Sequence, residues 1–271
     1  MILKNKMQTK SSNGVLSKGW YTDNSKEYLV KGNSVGLTKG MCGYEPFSEV
    51  MASNLANVLQ IPHVQYMLLP ANLFPEIRVY DCNYVSVCER IDTAGQLLHF
   101  ARYADVMCGG ECHDYFTFLL KRKQLRDAVY RLLAFDAITG NSDRHLNNFD
   151  LIWDGTAATI APILDNGASF LALIPDDSLR ANWKLTGQDK AKPFKDTHTE
   201  QVHLFEKRLG TITLSNKSVE EIFSEWLQSS TEVLQLLSEQ RQVSIKDYLY
   251  KRLNHYSYMF GGANLHEIDV F

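Results

Sequence analysis

Alternation and helical spacing divide the chain into two unlike parts. Near the start, "GVLSKGWYT" and "KEYLVKG" flank "DNSK", which predicts a β-hairpin from about Val15 to Lys31. The glycine-rich "GNSVGLTKGMCGYEP" follows and reads as an irregular loop. In "EPFSEVMASNLANVLQI", Phe47, Val50, Met51, Leu55, Val58 and Leu59 recur at helical spacing. They predict an amphipathic helix over 46–60, with Pro46 suited to its first turn and Pro62 stopping it. "HVQYMLLP" and "NYVSVCERI" are rich in β-formers and read as two more strands.

After Ile91 the periodicity becomes helical. "QLLHFARYADVM" and "YFTFLLKRKQLRDAVYRLLAFDAITG" predict helices, the second with Leu125, Val129, Leu132, Leu133 and Ile138 as its buried stripe. "FDLIWDGTAATIAPILD" holds two short apolar runs around "DG", a hairpin signal. Residues 168–197 read as irregular. "TEQVHLFEKRL", "SVEEIFSEWLQSSTEVLQLL" and "SIKDYLYKRLNHYSYMF" read as helices, with Trp226, Leu227, Val233 and Leu236 spaced as a helix core. The expected architecture is therefore α+β. A small β-rich N-lobe with one helix (1–91) meets a larger, mostly helical C-lobe (92–271) through a joint near residues 89–93. Ligand sites favour the cleft between two such lobes.

Composition narrows the classes. At 271 residues, with 45% hydrophobic and 22% charged residues, the chain is ordinary for a globular protein. A net charge of -3 gives no overall field that would favour nucleic acid. Direct nucleic-acid binding is not expected, and neither is a membrane, since no apolar run reaches spanning length. The opening "MILKNKMQTKSSNG" lacks the apolar segment of a secretory signal. Five irregularly spaced cysteines argue against a disulfide framework and for a reducing, cytoplasmic setting. "CGGECHD" offers two cysteines and a histidine, but no second pair follows to complete a structural zinc site.

The candidate chemistry lies in "GNSDRHLNNFDLIWDG" and "APILDNGAS". Asp143, Asn148 and Asp165 carry hard oxygen donors of the kind that suit Mg²⁺. A hairpin between Asn148 and Asp165 brings its own ends together, as a metal clamp requires. Asp143, five residues before Asn148, is placed to orient an attacking hydroxyl or accept its proton. A base, a metal-holding Asn and a metal-holding Asp are the parts of a phosphoryl-transfer site. A plain polar turn joining helix to strand would use some of the same residues.

These two segments resemble the catalytic and metal-binding elements of the HipA-like kinases, which pair GN-x-D-x-H-x-x-N with a later P-x-x-D element. The Asp-Arg-His-x-x-Asn core is also similar to that of the phosphoinositide lipid kinases. The resemblance implies a bilobal protein-kinase-like fold with Asp143 as the catalytic aspartate and Asn148 and Asp165 as Mg²⁺ ligands. It implies that Lys31 binds phosphates and Glu49 positions Lys31, with Glu45 the second choice. Backbone near Cys88, Glu89 and Ile91 is expected at adenine. Ser12, Gly14 and Lys18 are expected in the phosphate-covering loop, though the loop lacks the protein-kinase glycine pattern. His145 is assigned structural support of the catalytic loop, and Arg144 and Asn147 are read as exposed or loop-bracing. Ser11, Ser12 and Ser17 are candidate autophosphorylation sites. The chain begins almost at the kinase lobe, so the N-terminal subdomain of full-length HipA toxins is expected to be missing.

The implied function is an ATP- and Mg²⁺-dependent serine/threonine kinase with a protein substrate and an antitoxin-like protein partner. The alternatives are a lipid or small-molecule kinase on the same fold, and a nucleotide-binding pseudokinase acting as an interaction module.

Overall fold

The structure, a computed structural model, describes residues 5–6, 16–34, 43–179 and 189–261. Its first sheet is antiparallel, in the order β1-β2-β3-β5-β4. The strands are β1 (Asn5–Lys6), β2 (Lys18–Asp23), β3 (Lys26–Lys31), β4 (Tyr66–Pro70) and β5 (Tyr84–Glu89). β2 and β3 form the expected hairpin, closed by the pair Asp23 and Lys26. Asn24 (φ 48°) and Ser25 (φ 69°) both adopt left-handed backbone, as the tight two-residue turns compatible with strand twist require.

Alternation sorts this sheet into two faces. Tyr28, Val30, Val85 and Val87 bury one face against Ala71, Phe74 and Ile77 of the β4–β5 connection. The other face carries Lys31, Cys88 and Tyr66 toward α1 (Glu45–Val58).

α1 departs from the amphipathic expectation. All six predicted apolar positions are buried, but so is nearly everything else; only Asn54 and Asn57 escape. The reason is α6 (Val219–Gln235), which covers the face that would meet water. Trp226 donates to the Met51 carbonyl at 3.1 Å, and Asn54 donates to the Ser229 carbonyl at 3.0 Å.

A second sheet, β6 (Gln96–His99), β7 (Asp150–Trp153) and β8 (Ala158–Ile160), is also antiparallel. Here the helical reading of "QLLH" is overturned. Gln96–His99 pairs residue for residue with β7, and the helix, α2 (Phe100–Cys108), starts only afterwards. Tertiary pairing overrides local periodicity. The long predicted helix is likewise split into α3 (Tyr115–Leu120) and α4 (Lys123–Thr139). Arg122 makes the break. Its guanidinium donates to the Phe118 carbonyl at 2.8 Å, satisfying a helix-end acceptor, and lies over the Phe118 ring.

The β7–β8 hairpin, α5 (His198–Leu209) and α6 fall where expected, while α7 (Glu239–His255) starts and ends five residues before the predicted segment 244–260. The predicted stripe of α4 is wholly buried, as are Trp226 and Val233. Leu236 is instead exposed, because it caps α6 where the chain turns toward α7. One large apolar core unites α1 with the helical part. No helix among the described residues is long and apolar enough to cross a membrane.

Candidate active site

The site is built around Lys31, the last residue of β3. Its ammonium is buried and meets Glu49 Oε1 of α1 at 2.7 Å and Asp165 Oδ1 at 2.8 Å. The Tyr66 hydroxyl lies 3.2 Å away, on the adjoining row of the sheet face. Burial opposes the charge on Lys31, but Asp165 and Glu49 together outweigh it and hold the ammonium well above the ordinary lysine range. Glu49 spends its second oxygen on the main-chain N–H of Asn166, at 2.8 Å. Glu45 takes no part in this pair and accepts from Ser34 instead. Lys31, Glu49 and Asp165 are thus tied together across residues far apart in sequence.

Asp165 keeps 36% of its side chain exposed, so it remains reachable by a ligand. The Lys31 ammonium holds its carboxyl at about 2, against the opposing effect of burial. Its backbone is left-handed (φ 62°), a region non-glycine residues rarely occupy and one where strain is stored at functional sites.

Lys18 is the first residue of β2 and the cross-strand partner of Lys31. Burial lowers its pKa; Asp165 opposes that effect and Lys31 adds to it. Two like charges directly opposite each other are unfavourable in a sheet unless an anion joins them. Two lysines beside Asp165, the carboxylate of the cluster that stays open to solvent, suit a polyphosphate. Ser11, Ser12 and Gly14 lie outside the described residues; Ser17 lies within them, and its hydroxyl accepts from the Arg78 N–H.

Asp143, Asn148 and their loop follow α4. Gly140 ends that helix with φ 71°, and a Cβ there would sit 1.9 Å from the Tyr248 hydroxyl, so both backbone and space require glycine. The loop is held by Arg144, which is buried. All five of its N–H groups are used. They reach Asp136 (2.9 and 3.0 Å), Asn166 Oδ1 (2.6 Å), and the carbonyls of Asn148 and Leu164 (2.7 Å each). One guanidinium nitrogen therefore bridges the residues on either side of the β7–β8 hairpin. Asn148 and the chain entering Asp165 are brought to one place, as the hairpin argument expects. Asn148 Nδ2 donates to the Asp143 carbonyl at 2.8 Å. His145, assigned the supporting role, accepts the Asn147 N–H at 3.3 Å; the buried brace is Arg144.

At the end of β5 the ladder phase decides which backbone groups are open. Arg90 donates to the Glu27 carbonyl at 2.8 Å, so Arg90, and with it Cys88, points its main-chain groups toward β3. Glu89 then points its own to the opposite edge, where β4 starts only at Tyr66, opposite Cys88, and no strand among the described residues covers Glu89. An adenine edge fits the open main-chain groups of Glu89. Cys88 turns its main chain into the β3 ladder, and burial raises its thiol to about 11 against the pull of Lys31 and Tyr66.

Sequence reasoning missed Asp136, Asn166, Tyr66, Lys192 and Asn141, whose amide donates to Asp136 at 3.1 Å and accepts the Asp143 N–H at 3.2 Å. Asp136 carried a signal: a lone carboxylate inside the apolar run "LLAFDAITG" must find a buried partner. Tyr66 and Lys192 carried none, because their partners are distant in sequence. Among the described residues no three His, Cys, Asp or Glu side chains cluster as a metal site. A cation held by one Asp, one Asn and phosphate oxygens needs no such cluster.

A sequence profile of the HipA-like C-terminal domain matches residues 4–234. No curated protein sequence matches the chain. Among solved structures, the Helicobacter pylori proinflammatory kinase CtkA superposes with a TM-score of 0.63 at 17% identity. That match covers 92% of this chain and 90% of CtkA. HipA of Shewanella oneidensis MR-1, solved with HipB and operator DNA, matches at a TM-score of 0.49 and 16% identity, covering 94% and 67% of the two chains. The bilobal, kinase-like α+β fold expected from the sequence is the fold observed.

Proposed function

The chain belongs to the family of HipA-like C-terminal domains, and on that footing we propose that it transfers the γ-phosphoryl group of ATP to a protein serine or threonine. The observation that carries this reading is the Lys31–Glu49–Asp165 cluster, with Asp143 on an adjoining loop. We take residues 1–91 and 92–271 as the two lobes, with adenine against the main chain of Glu89 and Ile91. Lys31 and Lys18 bind the phosphates, and Glu49 fixes Lys31. Asn148 and Asp165 hold Mg²⁺, whose charge offsets that of the phosphates. Asp143 orients the acceptor hydroxyl and receives its proton. Positioning and electrostatics supply the rate. An antitoxin-like protein partner and a cytoplasmic setting complete the proposal.

The test is labelled ATP with Mg²⁺, offered first to a mixed protein fraction and then to inositol-lipid vesicles. Label on protein serine or threonine, absent with Asp143→Asn, is the expected result. Label on lipid alone would favour the lipid-kinase alternative. Nucleotide binding without any transfer would favour a pseudokinase.

A further inference from the structure

Lys192 donates to Asp143 Oδ1 at 2.9 Å, although 49 residues separate the two. Both side chains are about half exposed, 53% and 51%. An ion pair so open to water adds at most about 1 kcal/mol to stability. The loop that carries Lys192 is nonetheless firmly built. Lys190 bridges to Thr197, and Ala191 N–H donates to the Asp196 carbonyl at 2.8 Å. Phe194 packs between Phe116 (5.4 Å) and Phe205 (5.8 Å), and its N–H donates to Gln201 at 3.0 Å. Asp189 is anchored to the buried Arg252 at 3.0 Å. A well-anchored loop thus carries a lysine to Asp143, the carboxylate assigned to the acceptor hydroxyl under the proposed function, and the stability gain is too small to account for it.

We infer that Lys192 is a further phosphate-contacting residue of the reaction, a cation supplied from the chain segment before α5 to the phosphoryl group in flight. The inference rests on the proposed kinase reading. In the transfer, the acceptor oxygen forms a bond to the γ-phosphorus as the bond to the bridging oxygen of ADP breaks. The electron pair of that bond leaves with ADP, and the hydroxyl proton passes to Asp143. Negative charge on the non-bridging oxygens then lies beside Asp143, where an unaided carboxylate would repel it. Lys192, already on Asp143, can contact those oxygens without moving its loop. It is neither consumed nor deprotonated. Fixed charges aimed at a transition state act more on the rate than on ground-state binding.

The experiment is the initial rate of ADP release from saturating Mg²⁺-ATP by the full chain, with the mixed protein fraction present as acceptor and nucleotide affinity measured alongside. The proteins are the parent, Lys192→Ala, Lys192→Arg, Asp143→Asn and, as a control on the same loop, Lys190→Ala. Removing one preorganised donor lowers the rate by about 10²-fold. Lys192→Ala is expected to show that loss with nucleotide affinity changed by less than about twofold, the pattern of an interaction made only in the transition state. Lys192→Arg should recover a substantial part of the rate, and Lys190→Ala should match the parent. A Lys192→Ala protein as fast as the parent overturns the inference while Asp143→Asn still upholds the kinase reading. A faster one overturns it too, and marks Lys192 as a plug. A parent that releases no ADP removes the kinase reading, and this inference goes with it.

Discussion

At position 144, arginine does what lysine cannot. Five N–H groups in one plane reach Asp136, Asn166 and two carbonyls, whereas an ammonium offers three donors from one point. Both charged partners are almost fully buried. Arg144→Met leaves Asp136 buried and unpaired, which costs about 3–5 kcal/mol. Urea unfolding should show that loss, with a smaller one for Arg144→Lys; an unchanged midpoint for Arg144→Met would contradict the bracing role. His198 makes a different residue-scale claim. It is buried, and among the described residues neither ring nitrogen has a hydrogen-bond partner. Burial, with Arg252 beside it, lowers its pKa from 6.5 to about 3, against the pull of Asp189. The folded value lies below the unfolded one, so the unfolded chain takes up the proton first. Stability therefore falls as pH drops from about 6.5 toward 3, by at most about 1.4 kcal/mol per pH unit. Thermal unfolding between pH 7 and 5 should be less pH-dependent in His198→Phe than in the parent. Equal slopes would exclude His198 as the source.

Among the elements, α1 is the one whose setting governs the site. It presents Glu49 to Lys31 while α6 grips its opposite side through Trp226 and Asn54. Trp226 also stacks on Phe170, five residues after Asp165. Trp226→Ala removes a fully buried ring and is expected to cost about 3–5 kcal/mol. Because α1 and α6 share one core, amide exchange in α1 should rise together with that in α6. Faster exchange confined to α6 would show that α1 is held by the sheet alone. The elements also show what local sequence carries. Both hairpins, the existence of α1 and the buried stripe of α4 are legible in turn residues and apolar spacing; the cover that α6 gives to the other face of α1 is not. "QLLH" was misread, since its extended form depends on β7 some fifty residues later. The helix break at Arg122 goes with a side chain folding back on the Phe118 carbonyl of the preceding turn, which periodicity does not report.

Across the whole molecule, the cluster and its loop come from five separate stretches, around residues 18, 31, 49, 143–148 and 165. The motifs made the last two stretches legible, and the order of elements pointed to Lys31 and Glu49. Lys192 and Tyr66 stayed hidden because only the closed tertiary structure sets them against Asp143 and Lys31. A nucleotide that engages both sides of this arrangement stabilises the fold by mass action, so Mg²⁺-ATP should raise the melting temperature in a concentration-dependent way. The sharpest measurement is calorimetric titration of ATP, with and without Mg²⁺, into the parent, Asp165→Asn and Asp143→Asn. The account predicts Mg²⁺-dependent binding in the parent, preserved in Asp143→Asn and lost in Asp165→Asn. Binding that is indifferent to Mg²⁺ and unchanged in Asp165→Asn would contradict it.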